Sequence, residues 1–364
     1  MAYSQGLDAV LSSWTTSTRY RSFADAVERA AEVAKGKAPH VAFETIWVSD
    51  GHPFDHLKSR DVRDANRRSV GEVEILRLSD EDGPWQIAAL PTAHEGVYHL
   101  AGGIPTTHPR WQKVVRWVAG AHHISQCYLN HDDFRAFGER LHEFGEVEVV
   151  HVTGRSNVDQ SSYFRGFRPI PGTLRPGPDE LISEFERNSA YVRSWTLRIG
   201  SELSFHLRRV AGATYYSGRF RLFVDQVLGP LADAAAARRE LLTGRQRSRA
   251  MPVVPLSIVL AEDVFTTREE TGLLVDLAQE MADMSMAVFH RNPYLHFVLT
   301  DENDGSNFDV MVTVPDVVTV FPGFRASPAS LARVTGRIAE AFGAVRIEEA
   351  PPPPTVRLSD LVGV

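Results

Sequence analysis

The spacing of apolar residues alternates between a helical period and a strand period in the first part of the chain. In Ser22–Lys35 the apolar side chains recur at helical spacing, which predicts a helix. Val41–Val48 is mostly apolar and predicts a strand. The segments Glu72–Leu78 and Trp85–Leu90 flank turn-forming residues at 80–84, which predicts a hairpin.

Two further helices complete this first lobe. The spacing of apolar residues becomes helical again in Trp111–Val118. A second helix follows, with Asn130 as its predicted cap and Gly145 at its end. Residues 1–146 are therefore predicted to form a mixed lobe of helices and strands.

The order strand, helix, three strands, helix can then be read twice, at 147–244 and at 255–348. In the first unit, the strand Val147–Val152 leads into a proline-rich loop at 169–178. This loop is either an insertion or an element that closes over a ligand. The remaining predicted elements are a helix at 178–191, strands at 194–199, 203–210 and 214–224, a helix at 230–242 and a linker at 243–252.

The second unit repeats this order. It opens with the apolar strand Leu256–Leu260, and Thr267 with Glu270 predicts a capping box at the start of its first helix. Turn-forming residues at 301–307 predict a hairpin loop. The other predicted elements are strands at 287–299, 308–314, 317–321 and 345–347, a helix capped by Ser327, and a proline-rich tail at 349–364.

These elements predict an α+β protein whose antiparallel sheets are covered by helices on one face. The order of elements in the two units is similar to the TATA-binding-protein-like, or helix-grip, arrangement. A pair of ferredoxin-like domains has nearly the same order, and the resemblance is one of topology without a shared sequence motif. The opposite face of each sheet is left free, and a binding site is expected there.

Composition and charge restrict the class of protein. The chain has 364 residues, 43% hydrophobic and 23% charged, which is typical of a globular protein of two or three domains. A net charge of −7 argues against coating of nucleic acid by bulk positive charge. The single Cys127 is predicted to belong to the core and indicates a reducing compartment. Since the first residues lack a signal-peptide pattern and no apolar run reaches roughly 18–20 residues, a cytoplasmic protein is predicted.

Arginines are concentrated in the three strands predicted at 194–224. Between Arg193 and Arg221 there are six arginines and one acid, Glu202. Strand alternation predicts one shared face for Arg198, His206, Arg208, Arg219 and Arg221, with Tyr215 and Tyr216 as stacking surfaces. Guanidinium groups match phosphate oxygens and stack on bases. The sequence therefore predicts non-enzymatic binding of nucleic acid or another polyanion, as a component of a larger bacterial-type cytosolic assembly.

Two alternatives remain for this surface. A sheet with one solvated face must carry polar side chains there, so the arginines can be purely structural. The matching region of the second unit is acidic, with Asp301, Glu302, Asp304, Asp309 and Asp316. Opposite charges on the two units favour an interaction subunit that binds other proteins or a second copy of itself, without contact to nucleic acid.

A metal-dependent hydrolase or nuclease is the third interpretation. His122, His123, His131, Asp132 and Asp133 supply nitrogen and oxygen donors within a short segment. Their spacing matches no paired metal-ligand motif, and acids at the start of a helix are favoured by the helix dipole. We therefore predict neither a metal nor a cofactor.

Other short motifs lead to structural interpretations. HLK at 56–58 resembles the start of a phospholipase-D-type motif, but Arg63 occupies the position of the expected aspartate. The 301–307 loop lacks the glycine and the glutamate that a calcium-binding loop requires at fixed positions. His290 and His296, predicted to lie on one strand, are assigned a structural or interfacial role.

Overall fold

The computed structural model of the chain describes residues 7, 10–12, 14, 22–33, 40–56, 65–121, 123–144, 146–156, 162–166, 177–210, 212–245, 253–291 and 294–351. These residues form an α+β structure with two antiparallel sheets and the helices that pack on them, as the sequence predicts. Within these ranges, no helix has the length and apolar character needed to cross a membrane.

The larger sheet contains eleven strands. They are β1 (Val41–Val48), β2 (Ala65–Val70), β3 (Val73–Asp80), β4 (Gly83–Pro91), β5 (Val97–Gly102), β6 (Ile124–Gln126), β7 (Val147–Ser156), β8 (Ser162–Gly166), β9 (Ala190–Ile199), β10 (Leu203–Arg208) and β11 (Gly212–Gly218). Their spatial order is β2-β3-β4-β5-β1-β11-β10-β9-β7-β8, and β6 pairs separately with β1. Because β1 pairs with β11, strands from the predicted first lobe and the predicted first unit belong to one sheet. The predicted domain boundary at 146/147 therefore falls between strands that belong to the same sheet.

The smaller sheet contains six strands in the order β13-β14-β15-β16-β12-β17. They are β12 (Leu256–Val259), β13 (Met284–His290), β14 (Leu295–Asp301), β15 (Asn307–Val314), β16 (Val317–Pro322) and β17 (Arg346–Glu349). The helices are α1 (Phe23–Val33), α2 (Pro109–Gly120), α3 (His131–His142), α4 (Pro178–Arg187), α5 (Phe220–Phe223), α6 (Gly229–Leu242), α7 (Arg268–Gln279) and α8 (Pro328–Phe342). A π-helical segment, Val224–Leu228, joins α5 to α6.

Local capping signals set the starts of three helices, as predicted. The backbone N–H of Asn130 donates to Asp133 Oδ2 at 2.6 Å at the start of α3. In α7 the Thr267 hydroxyl oxygen accepts from the Glu270 backbone at 3.2 Å, and the Thr267 backbone donates to the Glu270 carboxylate at 2.7 Å. Ser327 caps α8. These bonds satisfy backbone donors that a helix start leaves without partners.

Core side chains lie on both faces of one half of the larger sheet. On one face Phe43 is fully buried against Phe23 of α1 and Phe220 of α5. On the opposite face Trp111 of α2 is fully buried in a second cluster with side chains of β1, β3, β4 and β5, so the prediction that helices cover only one face is wrong for this half of the sheet. Along β9 and β10 this opposite face carries polar side chains such as Thr196 and His206. We call the opposite face of β9–β11 the polar half of the larger sheet.

The predicted strand at 214–224 is wrong beyond Gly218. Gly218 has a φ of 105°, and a Cβ at this position would collide with the backbone carbonyl of Glu202. After this turn, Phe220 and Phe223 are spaced three residues apart and both are buried, which is a helical pattern. β11 therefore ends at Gly218, and the next residues form α5 and the π-helical segment.

Gly218→Ala should lower the free energy of unfolding by about 2–3 kcal/mol, because the new side chain meets both an unfavourable φ and the Glu202 carbonyl. Urea denaturation measures this loss. Gly244→Ala is the matched control: Gly244 has a φ of 75°, but nothing lies within 4 Å of the added Cβ. The control should lose only about 1 kcal/mol. Equal losses in the two variants would contradict the steric argument.

The predicted strand at 287–299 is also wrong as a single element. It consists of parts of β13 and β14, which pair antiparallel and place His290 directly opposite His296. The second unit therefore has four strands between its two helices, where three were predicted. The sequence carries a turn signal here, Asn292 followed by Pro293.

Helix α8 links the smaller sheet to the larger one. The Tyr128 hydroxyl donates a hydrogen bond to Thr335 Oγ1 at 3.1 Å. Arg209 is almost fully buried and donates to two backbone carbonyls, from Nε to Val192 at 3.1 Å and from Nη1 to Ala344 at 3.3 Å. Since Ala344 follows α8 and Val192 belongs to β9, this side chain joins the two parts of the protein.

Candidate functional site

The polar half of the larger sheet carries four of the seven predicted binding residues. Arg198, His206, Arg208 and Tyr216 lie away from the face that buries Phe205. Arg198 is exposed, and the other three are partly buried. Strand alternation therefore places Arg198, His206 and Arg208 on one face as predicted, and Tyr216 of β11 lies beside them.

Tyr215, Arg219 and Arg221 do not lie on this face, which corrects the prediction. Tyr215 is buried in the core. Arg219 and Arg221 follow the end of β11, and their guanidinium groups lie 3.3 Å from Glu202 and 3.2 Å from Asp25. Tyr215 is paired with the core residue Phe205, because the pairing of β10 with β11 shifts register between Ser204 and Phe205. The turn at Gly218 ends β11 and takes Arg219 and Arg221 out of the strand.

Glu44 of β1 is a buried acid beside the polar half. Its carboxylate oxygens accept hydrogen bonds from Gln126 Nε2 at 3.1 Å and from Arg208 Nη2 at 3.2 Å. The Arg208 guanidinium lies against Gly212, where a side chain would collide with it. Burial raises the pKa of Glu44, and the charge of Arg208 acts in the opposite direction. The positive charge of Arg208 is therefore paired with the Glu44 carboxylate within the protein.

Glu44 is not among the residues that the sequence pattern predicts for this surface. The available signal was a single acid in the middle of β1, whose residues are otherwise almost all apolar. A carboxylate buried among such residues requires a cation or strong hydrogen-bond donors. The sequence does not show that this cation is Arg208, because the pairing of β1 with β11 is a long-range contact.

His206 contacts a hydroxyl group on the neighbouring strand of the polar half. Its Nδ1 lies 3.0 Å from Thr196 Oγ1 on the neighbouring strand. Burial, with smaller contributions from Arg208 and His151, lowers the pKa of His206 to about 4. At neutral pH this side chain is therefore uncharged and adds nothing to the attraction of a phosphate.

The two arginines of the polar half are each matched by an acid. Arg208 is bonded to Glu44, and Arg198 lies directly opposite Glu148 of β7. A surface that attracts a polyanion requires a local excess of positive charge. These pairs do not supply one, and binding of nucleic acid stays a prediction that this geometry does not favour.

His131 and Asp133, two of the predicted metal ligands, bind side chains from distant parts of the chain. His131 Nε2 lies 2.8 Å from Glu186 Oε1, and Asp133 accepts a hydrogen bond from Arg238 at 3.1 Å. His122 lies outside the described residues. Among the residues that the structure describes, no group of three or more His, Cys, Asp or Glu side chains is placed to hold a metal ion.

Cys127 and the 301–307 loop have the structural roles that were predicted. Cys127 is fully buried, and burial raises the pKa of its thiol to about 12, which leaves it protonated at neutral pH. The loop joins β14 to β15, and the buried Asp301 carboxylate accepts hydrogen bonds from Ser330 Oγ at 2.6 Å and from Arg333. The segments 57–64, 167–176, 246–252 and 352–364 lie outside the described residues. They include most of the HLK motif, the proline-rich loop, the linker and the tail.

His290 and His296 lie on adjacent strands, which corrects their placement on one strand. His296 Nε2 is 2.9 Å from Asp309 Oδ1, and its ring stacks on Phe289 with 5.4 Å between the ring centres. The His290 ring lies 4.6 Å from the ring of Tyr294. Both histidines are thus part of a cluster of rings at one end of β13.

The end strand β13 differs from the other end strands of the two sheets. Between Asp283 and Arg291 it has no Asp, Glu, Lys or Arg, and Ser285, Ala287 and Phe289 are exposed. The other end strands carry charged residues, which discourage pairing with further strands. These residues are Arg67 and Arg68 in β2, Arg165 in β8, and Arg346, Glu348 and Glu349 in β17. Among the described end strands, β13 therefore has the edge most suited to pairing.

Comparison of the sequence with protein-family models gives no match, and comparison with curated proteins gives no similar sequence.

Proposed function

We propose that the chain is a non-enzymatic protein-interaction subunit that assembles through β13, with a second copy of itself as the partner. The observation that carries this proposal is the uncharged edge of β13 between two residues of opposite charge, Asp283 and Arg291. Unpaired backbone N–H and C=O groups along such an edge form a template for another strand. The proposal does not depend on a TATA-binding-protein-like or ferredoxin-like arrangement of the two units, which remains a proposal of its own.

Antiparallel pairing of two β13 strands brings opposite charges together at both ends. With Ala287 on the two-fold axis, Ser285 lies opposite Phe289 of the second copy, and Asp283 lies opposite Arg291 of the second copy. The symmetry of such a dimer forms this ion pair twice. Both side chains are exposed in the single chain, so they are available for the contact.

Pairing would also cover apolar surface. Phe289 is 66% exposed, and in this register it lies beside Ser285 of the second copy. The proposed register extends beyond the regular part of the edge at Phe289 and Arg291, because the pairing of β13 with β14 shifts register between Val288 and His290. The regular part of the edge is Met284–Val288. This length is close to that of an average strand, roughly 5–6 residues.

Charge reversal tests this assembly. In Arg291→Asp or in Asp283→Arg, like charges face each other twice in each dimer. We expect the dimer dissociation constant to rise about tenfold or more, since each exposed pair contributes up to about 1 kcal/mol and changes sign. Analytical ultracentrifugation at several protein concentrations measures this change.

Restoring the opposite charges provides the control. The double variant Asp283→Arg/Arg291→Asp should dimerise like the wild type, and an equimolar mixture of the two single variants should form a heterodimer. Asp283 has a φ of 59°, and the double variant bears the same backbone cost as the single one. A wild type that stays monomeric at high micromolar concentration contradicts the proposal. Single variants that dimerise as tightly as the wild type contradict it as well.

A further inference from the structure

A cavity of about 400 Å³ lies at the junction of the two sheets. Its walls come from the end of α2, from β6, from the segment between α7 and β13, and from α8. The apolar part of the lining includes Val118, Ile124, Val210, Met281 and Met284. Binding pockets of about 300–1,000 Å³ are common at junctions of this kind, and most of their lining is apolar. Methionine side chains on one wall can adapt to the shape of a ligand.

The charged side chains that line the cavity differ in how strongly other side chains of the protein bind them. They are Glu280, Arg333, Arg337 and Glu340. Arg333 is bonded to the buried Asp301. The side chain of Arg337 is 48% exposed and donates a long hydrogen bond from Nη1 to Glu340 at 3.3 Å. Glu340 receives a shorter bond of 2.7 Å from Arg193. If Arg337 moves away, Glu340 therefore keeps its shorter hydrogen bond from Arg193.

We propose that this cavity binds a molecule with one carboxylate and an apolar body. The guanidinium of Arg337 turns to the ligand carboxylate, with which it can form two parallel hydrogen bonds. The apolar body lies against Met281, Met284 and Ile124. Glu280 and Glu340 repel a second negative charge, which favours a monocarboxylate over a polyphosphate.

Isothermal titration calorimetry with decanoate and the full chain tests the site, with decylammonium as a probe of equal length and opposite charge. We expect decanoate to bind with one-to-one stoichiometry and more tightly than decylammonium. Arg337→Gln should weaken decanoate binding about tenfold and leave decylammonium binding unchanged or slightly stronger. Arg346→Gln is the matched control, because Arg346 is an exposed arginine of β17 that pairs with Glu348 and does not line the cavity. It should bind decanoate like the wild type.

Two substitutions that fill the cavity locate the binding site. Ala282→Trp and Ala119→Trp place an indole at the cavity from opposite walls, and both alanines are exposed, so folding should tolerate the change. Each variant should lose decanoate binding while its circular dichroism spectrum stays that of the wild type. Equal binding of the two probes overturns the proposal, as does undiminished binding in both tryptophan variants. Absence of decanoate binding to the wild type also overturns it.

Discussion

Arg209→Ala should lower the free energy of unfolding by about 3–5 kcal/mol, because the loss leaves two buried carbonyls without donors and opens space in the core. The Arg209 guanidinium lies 4.8 Å from the ring centre of Tyr191 and 5.7 Å from that of Phe134. Burial lowers its pKa to about 10, so it stays protonated at neutral pH. Chemical denaturation followed by circular dichroism measures the loss.

Two further substitutions separate the hydrogen bonds of Arg209 from its volume. Arg209→Met fills much of the space but cannot donate to Val192 or Ala344, and Arg209→Lys keeps a donor and the charge. We expect stability to decrease in the order wild type, lysine, methionine, alanine. Arg219→Ala, which removes an exposed guanidinium, should change the free energy by less than about 1 kcal/mol. A methionine variant as stable as the wild type would show that the guanidinium contributes nothing.

His99 and His206 should make the protein less stable in mild acid. Burial is the main cause that lowers the pKa of both His99 and His206 to about 4, below the usual value of about 6.5. Between these values the unfolded chain binds protons that the folded chain does not bind. The free energy of unfolding therefore decreases as the pH falls from 6.5 to 4, by up to about 3 kcal/mol for each histidine.

Urea denaturation at several pH values between 7 and about 4.5 tests this dependence. His99→Asn/His206→Asn can keep a polar group near Thr45 and Thr196, the neighbours of the two Nδ1 atoms, without a group that titrates in this range. The variant should therefore show a smaller change in stability with pH than the wild type. His94→Asn, at an exposed histidine paired with Asp233, serves as the control. An unchanged pH dependence in the double variant would mean that other groups cause the acid instability.

The sequence predicts those parts of the fold that depend on local signals. Val41–Val48 and the caps Asn130, Thr267 and Ser327 are found where the pattern places them, because apolar spacing and capping are properties of neighbouring residues. The pairing of β1 with β11 could not be predicted, since it joins residues far apart in sequence. The union of two predicted parts into one sheet follows from this contact alone.

The candidate sites show the same division between local and long-range information. Alternation along β9 and β10 correctly places Arg198, His206 and Arg208 on one face. It fails in β11, where a register shift places Tyr215 opposite Phe205 in the core, and again after Gly218, where the strand ends and α5 follows. The acids that offset the positive charge of this surface, chiefly Glu44, belong to other strands. A pattern of neighbouring residues therefore does not predict them. The charge-free edge of β13 is readable from sequence, but its position at the end of a sheet is not.

The hydrogen bonds made by α8 and the turn after it have a consequence for how the protein can be divided. Thr335 and Ala344 accept hydrogen bonds from Tyr128 and Arg209, so the stability of the larger sheet includes residues near the end of the chain. The two sheets should therefore unfold in one cooperative transition and not as separate modules. A fragment that stops at residue 245 contains every strand of the larger sheet and still lacks acceptors for two of its buried donors.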